Sequence, residues 1–240
     1  RMLFFTKKVY KKAKEIDADL YHIHDPELLP YGLKLKKLGK KVIFDSHEYY
    51  PMQINHKKYI PPILRNVISK AYEKYETFAV NRMDAVIFPC EINGEHPFKG
   101  RCKRNIFIDN VPREEVFCDQ DNNIENEAKP FAICYVGTLA YGRGITHLIK
   151  AAHIAGVKLI LAGQFMSENY KQELMDMPEY SCVDYRGYCS RQEIEQIYRD
   201  SNVGIATVLN IGQYEIQSNL LTKTYEYMAM GLPVIANDSV

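Results

Sequence analysis

Lys223 and Glu226 stand three residues apart in the run Asn219-Leu-Leu-Thr-Lys223-Thr-Tyr-Glu226-Tyr-Met-Ala-Met-Gly231-Leu-Pro233-Val-Ile-Ala236. On a helix that spacing makes them neighbours one turn apart. With Asn219 as the N-cap, Lys223 falls in or beside the first turn, where the helix dipole disfavours a cation unless an anion shares the site. The free amides of Leu220, Leu221 and Thr222 would hold the same anion, as helix N-termini hold phosphate. The alternative is a solvated Lys–Glu pair on a surface helix. Leu221, Tyr225, Met228 and Leu232 recur at helical spacing and are expected to form the apolar stripe, with Lys223 and Glu226 on the opposite face. Gly231 and Pro233 should stop the helix before a buried parallel strand at Val234-Ile235-Ala236.

Other residues of chemical interest gather at the ends of apolar runs. Gly137 and Thr138 follow one such run and open a loop to Gly142-Arg143-Gly144, where backbone can approach a phosphate and Arg143 can grip it with two parallel hydrogen bonds. Gly163 ends a second run, and Gly187 with Tyr188 ends a third. Each glycine alone reads as a turn. Their common placement suggests a surface that a ligand approaches closely. In the first half, His22 and His24 alternate on one strand and so share a face, and His47 and Glu48 end the next strand.

The elements that must position these residues alternate between strand and helix. A helix over 2–15 is followed by strands at 19–24 and 41–45, a helix from near Glu27, a loop through Pro51 and Pro61, a helix to about Arg82, and strands at 85–88 and 105–109. Residues 112–129 are polar and aperiodic and read as a linker between a first domain, 1–111, and a second, 130–240. Beyond it strands at 131–136, 157–162, 182–186 and 202–206 alternate with helices. Strands separated by helices pair in parallel, so the expected fold class is α/β, two doubly wound Rossmann-like sheets facing a cleft. Ligands of such sheets lie beyond the carboxyl ends of the strands, where the candidate residues fall.

Composition narrows the function classes. The 240 residues are 46% hydrophobic and 25% charged, with no apolar run long enough to span a membrane and no signal-like start. Six cysteines without a C-x-x-C pair read as reduced thiols of a cytoplasmic protein. The chain opens on Arg1 inside an apparent helix and closes on Val240 just past a strand, and is expected to be cut at both ends. Residues 1–110 hold 21 Lys+Arg against 13 Asp+Glu, and the remainder 10 against 17. Lysine clusters at 7–14 and 34–41 are either solvated helix faces or a surface drawn to anionic lipid at the inner membrane face.

Several chemistries lack their motif. His22, His24 and His47 come without a zinc-type pattern, so no metal is expected. Asp17-Ala-Asp19 has a metal-binding D-x-D form but precedes its strand, which places it at the wrong end of the sheet. A nucleophile elbow and a P-loop are both absent from the sequence. The charge balance and the lack of an aromatic-basic platform argue against nucleic acid.

Asp19-Leu-Tyr-His-Ile-His24-Asp-Pro-Glu, Ile43-Phe-Asp-Ser-His47-Glu, Tyr135-Val-Gly137-Thr-Leu with Arg143-Gly144-Ile, Leu159-Ile-Leu-Ala-Gly163, and the run from Lys223 to Ala236 together resemble a family 4 glycosyltransferase of the two-Rossmann GT-B fold. The resemblance implies a retaining transferase that moves a sugar from a nucleotide diphosphate to the hydroxyl of an acceptor glycan or lipid-linked sugar, with no cofactor. The second domain would bind the donor and the first the acceptor, with His47 and Glu48 as acceptor-side candidates. Arg143 and Lys223 would neutralise the diphosphate, Glu226 would take the ribose hydroxyls, and Gly187 and Tyr188 would hold the base. Gly137, Thr138 and Gly163 would line the phosphate path, with Leu221 and Thr222 offering amides, and His24 would reach the donor near the reacting centre. The chain departs from the family at Thr138, where an arginine is common, and at Ser218, where a glutamate is usual and Glu215 is out of register. These departures leave two other readings open, a non-catalytic nucleotide-sugar binding subunit and a nucleotide-sugar epimerase.

Overall fold

Short runs rich in β-branched and aliphatic residues set the strands, and helices between them impose parallel pairing. The computed structural model describes residues 2–57, 60–111, 130–211 and 221–237. The chain forms two units that divide between Asn110 and Val111. In the first, α1 (Met2–Ile16), β1 (Leu20–His24), α2 (Leu29–Lys37), β2 (Lys41–Asp45), α3 (Tyr50–His56), α4 (Pro62–Val80), β3 (Ala85–Phe88) and β4 (Asn105–Phe107) follow one another. The four strands are parallel in the order β1-β2-β3-β4. Leu29, Leu35, Val42, Phe44, Val80, Met83, Phe88 and Phe98 form the core of this unit. Helix α3 falls where the sequence reads as a loop, because Pro51 sits in the first turn, where its missing N–H costs nothing.

The second unit contains β5 (Ala132–Val136), α5 (Ile145–Ala155), β6 (Lys158–Ala162), α6 (Glu168–Met175), β7 (Val183–Gly187), α7 (Arg191–Arg199), β8 (Val203–Ala206), α8 (Thr222–Ala229) and β9 (Val234–Ala236). Its sheet is parallel in the order β7-β6-β5-β8-β9. Alternate residues of the fully buried β5 enter two cores. Ala132, Cys134 and Val136 pack with Ile197, Tyr198 and Tyr227 on one face, and Ile133 and Tyr135 pack with Ile145, Ile149 and Leu161 on the other. Both faces of the sheet are therefore covered, as a doubly wound fold requires.

Three expectations for the last helix and strand are corrected. The buried residues of α8 are Thr224 and Tyr227, while Met228 is 60% exposed. Tyr227 wins the inward position because its hydroxyl donates to Ile205 O and accepts from Val136 N, and because Gly204 leaves room for its ring. Lys223 and Glu226 consequently lie on the flanks of the packed side of α8 and not opposite it. Strand β9 pairs only with β8 among the described residues, so it is an edge strand, and Ile235 is 56% exposed where a buried strand was expected. Helix α8 starts at Thr222 with Leu221 as its N-cap, so the N-cap expected at Asn219 is corrected by two positions, and the amide of Leu220, Ser218, Glu215 and the linker 112–129 lie outside the described residues. No helix among the described residues is long and apolar enough to cross a membrane.

Candidate functional site

In the second unit the chain runs outward from β5 through β6 to β7 and then returns to lay β8 against the other side of β5. The carboxyl ends of β5 and β8 form the switch point at which open α/β sheets bind ligands. Gly137, Gly163 and Gly187 stand at the ends of β5, β6 and β7 and are direct neighbours. The Gly163 amide donates to Gly187 O at 2.7 Å, and a Cβ on Gly163 would fall 1.8 Å from Gly137 O. Gly163 also has φ 138°. No side chain fits there, so the three strand ends close into a continuous backbone shelf.

Lys223 is the second residue of α8 and reaches back over that shelf. Its Nζ lies 3.3 Å from the centroid of the buried Tyr135 ring, and a Cβ on Gly137, whose φ is 136°, would approach Nζ to 3.1 Å. Gly137 thus makes room for the lysine. Burial, and after it the nearby Arg143 guanidinium, hold the Lys223 amine well below the usual lysine range, against the opposing pull of Glu226. Arg143 ends a short 3-10 turn, Tyr141–Arg143, that is tied to the end of β8. Its carbonyl accepts from Thr207 Oγ1 at 3.2 Å, and Gly142 O accepts from Leu209 N at 2.8 Å. Two cationic side chains and the amide end of α8 meet here, and an anion would reverse the electrostatic cost of gathering them.

Glu226 is held from α7. Its Oε1 accepts from Arg191 Nη1 at 2.9 Å and its Oε2 from the Tyr198 hydroxyl at 2.6 Å. Burial first, then this hydrogen bond to Glu226, push the Tyr198 hydroxyl far above the usual tyrosine range. Each carboxylate oxygen keeps a further lone pair for a ligand. Arg191 and Tyr198 are the residues that sequence reasoning missed. The serine-capped turn at Ser190 that starts α7 was the signal available, since it fixes which side chains leave the helix beside Glu226.

A cavity of about 300 Å³ lies over the ends of β5, β6 and β7 and is lined by Gly137, Thr138, Gly163, Phe165, Tyr188 and Ile194, among others. Tyr188 is 78% exposed at its rim and offers a flat apolar face. Lys223, Thr138, Gly163 and Tyr188 are thus brought to one end of one sheet. Leu221 is the N-cap of α8 and Thr222 its first helical residue.

The first unit gathers a separate group. The register of β1 and β2 sets His24 opposite Asp45. His22 Nε2 lies 3.1 Å from Asp45 Oδ2, and His24 Nδ1 lies 2.9 Å from His47 Nε2. His24 stacks on His22 and on His47, with ring centroids 4.5 and 5.2 Å apart. His22 is exposed, as are His24 and His47. Sequence reasoning omitted Asp45, although a residue ending β2 must face one ending β1 in a parallel pair. Glu48 is half-buried, and its carbonyl accepts from Ser46 Oγ. Asp25, directly after His24, has φ 67° and ψ 146°, a region nearly reserved for glycine, and its carboxylate accepts from the Tyr50 hydroxyl at 3.1 Å. Asp17 is exposed and pairs with Lys40, away from this group.

Each unit matches the profile of a known protein family. The profile of Glycosyltransferase Family 4 matches residues 1–96, and that of Glycosyl transferases group 1 matches residues 130–240. No curated protein matches the chain by sequence. Among solved structures, the chain is similar to sucrose-phosphate synthase from Thermosynechococcus elongatus, at 16% identity and a TM-score of 0.69, over 97% of this chain and 59% of that one. It is similar to HepE from Anabaena in complex with UDP and glucose, at 17% identity and a TM-score of 0.69, over 96% of this chain and 62% of that one. The catalytic domain of starch synthase IV from Arabidopsis thaliana, bound to ADP and acarbose, gives 12% identity and a TM-score of 0.63, over 98% and 60%. At such identities the likeness is one of fold, and the chain spans about three fifths of the length of these structures. With a family 4 profile over its first unit and a group 1 profile over its second, leaving only 97–129 unmatched, the chain belongs to the family 4 glycosyltransferases of the GT-B fold.

Proposed function

We propose that the protein is a retaining glycosyltransferase that moves a sugar from a nucleotide diphosphate to an acceptor hydroxyl. The observation that carries this reading is the seat of Lys223 Nζ, 3.3 Å from the Tyr135 ring centroid at the switch point of the second sheet, where the nearby Arg143 adds a second positive charge. Such a pair is best explained by a ligand with closely spaced negative charges. In glycosyl transfer the diphosphate leaves with increased charge on its bridging oxygen, and preorganised cations aimed there stabilise the transition state more than the ground state. The chemistry needs no cofactor or metal, because the charge neutralisation comes from side chains and the α8 amides.

The second unit is the donor domain in this reading. The 300 Å³ cavity takes the base against Tyr188, Glu226 takes the ribose hydroxyls, and the glycine shelf passes under the phosphates. His24 acts near the reacting centre, and His47 and Glu48 belong to the acceptor side. The acceptor is a glycan or a lipid-linked sugar met at an anionic membrane surface on the cytoplasmic side. Exposed Lys7, Lys8, Lys11 and Lys14 on α1 support that surface, whereas Lys36 and Lys40 are engaged with Asp84 and Asp17.

The first donor to test is UDP-glucose, since the HepE structure was obtained in complex with UDP-glucose. Full-length protein is incubated with UDP-glucose and with other nucleotide sugars while nucleoside diphosphate release and the anomeric configuration of the product are followed. Release with retained configuration, undiminished by EDTA, is expected. Tight nucleotide binding without release from any donor would overturn the catalytic reading.

A further inference from the structure

The histidines of the first unit have a geometry that their hydrogen bonds do not account for. Side chains alternate along β1, so His22 and His24 share a face, and the parallel register places Asp45 of β2 beside both. Asp45 Oδ2 lies 3.1 Å from His22 Nε2 and 3.5 Å from His24 Nδ1, and His24 Nδ1 lies 2.9 Å from His47 Nε2. The ligand atoms of His22, His24 and Asp45 all fall within 4.8 Å of one another. His24 Nδ1 has either one proton or one lone pair, yet it faces two acceptor-capable atoms, and the 3.5 Å approach to Asp45 is longer than an ordinary hydrogen bond. A shared cation would use the lone pairs of His22, His24 and Asp45 at once. Bonds of about 2.0–2.1 Å in a tetrahedron set ligand atoms roughly 3.3 Å apart, close to the separations found here.

We propose that His22, His24 and Asp45 form a binding site for a divalent transition ion of the zinc class, with His47 beside it. Two imidazoles with one carboxylate, and a position left open for water, suit zinc, nickel or copper and not magnesium or calcium, which prefer oxygen. The strands β1 and β2 hold all three ligands, so little ordering is needed on binding, and the exposure of the imidazoles leaves an entry path. The binding itself does not depend on the glycosyl-transfer reading. Its consequence does: an ion on His24 Nδ1 fixes the ring and withdraws that nitrogen from the reacting centre, so the metal inhibits transfer.

Zinc chloride is titrated into metal-free full-length protein by calorimetry, and cobalt(II) binding is followed through its visible absorption, which is intense only in tetrahedral sites. One ion per chain is expected. His22→Ala and Asp45→Asn, each checked for native circular dichroism, should weaken it by more than the roughly 10–100-fold that loss of an outer-shell partner costs. His153→Ala, on α5 of the second unit, should leave it unchanged. Absence of saturable binding, or equal affinity in the His22 and Asp45 variants, would overturn the site. Stoichiometric binding that leaves turnover unchanged would keep the site and refute its link to His24 and catalysis.

Discussion

Lys223 Nζ sits 3.3 Å from the centroid of the Tyr135 ring, so the first-turn lysine of α8 rests on the central strand of its sheet. The ring face partly offsets the loss of water around the ammonium. It does not replace it, since burial still lowers the lysine's proton affinity well below the ordinary value. A diphosphate in contact with the amine would raise that affinity again. Nucleoside diphosphate binding should therefore take up protons in the pH window between the lowered value of the free protein and the ordinary lysine value. Affinity should fall as pH rises through that window, and Lys223→Met should abolish the effect. Calorimetry in buffers of different ionisation enthalpy measures the uptake. Proton uptake that persists in the variant would assign it to another group. The sign for stability is also set: in the same window the unfolded chain binds more protons than the folded one, so the free protein gains stability from Lys223 as pH rises.

Removing either cation should separate phosphate from nucleoside recognition. Lys223→Ala and Arg143→Ala are each expected to weaken nucleoside diphosphate binding by roughly 1.5–3 kcal/mol, the range for hydrogen bonds to charged groups, with little change for the nucleoside. Equal losses for both ligands would place the two residues in the scaffold alone.

Gly163→Ala should be the most damaging of the strand-end substitutions. The added Cβ would meet Gly137 O at 1.8 Å, whereas at Gly187 it would meet nothing within 4 Å and only the positive φ of 69° is at issue. A loss of about 3 kcal/mol or more is expected for Gly163 and about 1 kcal/mol for Gly187, measured by denaturant unfolding. Similar losses at the two positions would contradict the close approach.

Glu226→Gln should weaken a ribonucleotide more than its 2′-deoxy analogue if the carboxylate binds ribose. Tyr198→Phe removes the hydroxyl that holds Glu226 Oε2 and should have the same selectivity at smaller amplitude, because the carboxylate remains but is less fixed. A loss that ignores the 2′-hydroxyl in both variants would make Glu226 a partner of Arg191 and Tyr198 only.

His24→Ala should lower turnover of the full-length enzyme by about 10²-fold or more, the lower range for a positioned catalytic group, with a much smaller change in donor affinity. His22→Ala should cost little stability, since the side chain is exposed. Wild-type turnover in the His24 variant would remove it from the chemistry.

Much of the architecture was legible because helix and strand periods are local properties. Alternation of apolar runs with amphipathic segments announces parallel sheets, and a glycine or histidine at the end of such a run must lie at the carboxyl edge of a sheet. Gly137, Gly163, Gly187, His24 and Lys223 could therefore be found without coordinates. The strand order could not, since nothing local says that β8 returns to the far side of β5 and so creates the switch point beside Arg143. Nor could the inward face of α8: Tyr225 and Met228 are as apolar as a core requires, and only the space over Gly204 and the hydrogen bonds to Ile205 and Val136 select Tyr227 instead. The partners of Glu226 and the meeting of Asp45 with His22 and His24 have the same origin. They join residues 20 to 35 positions apart, whose distance is set by sheet register and helix packing and by no pattern within either segment. Sequence determined which residues reach the strand ends, and tertiary structure decided which of them touch.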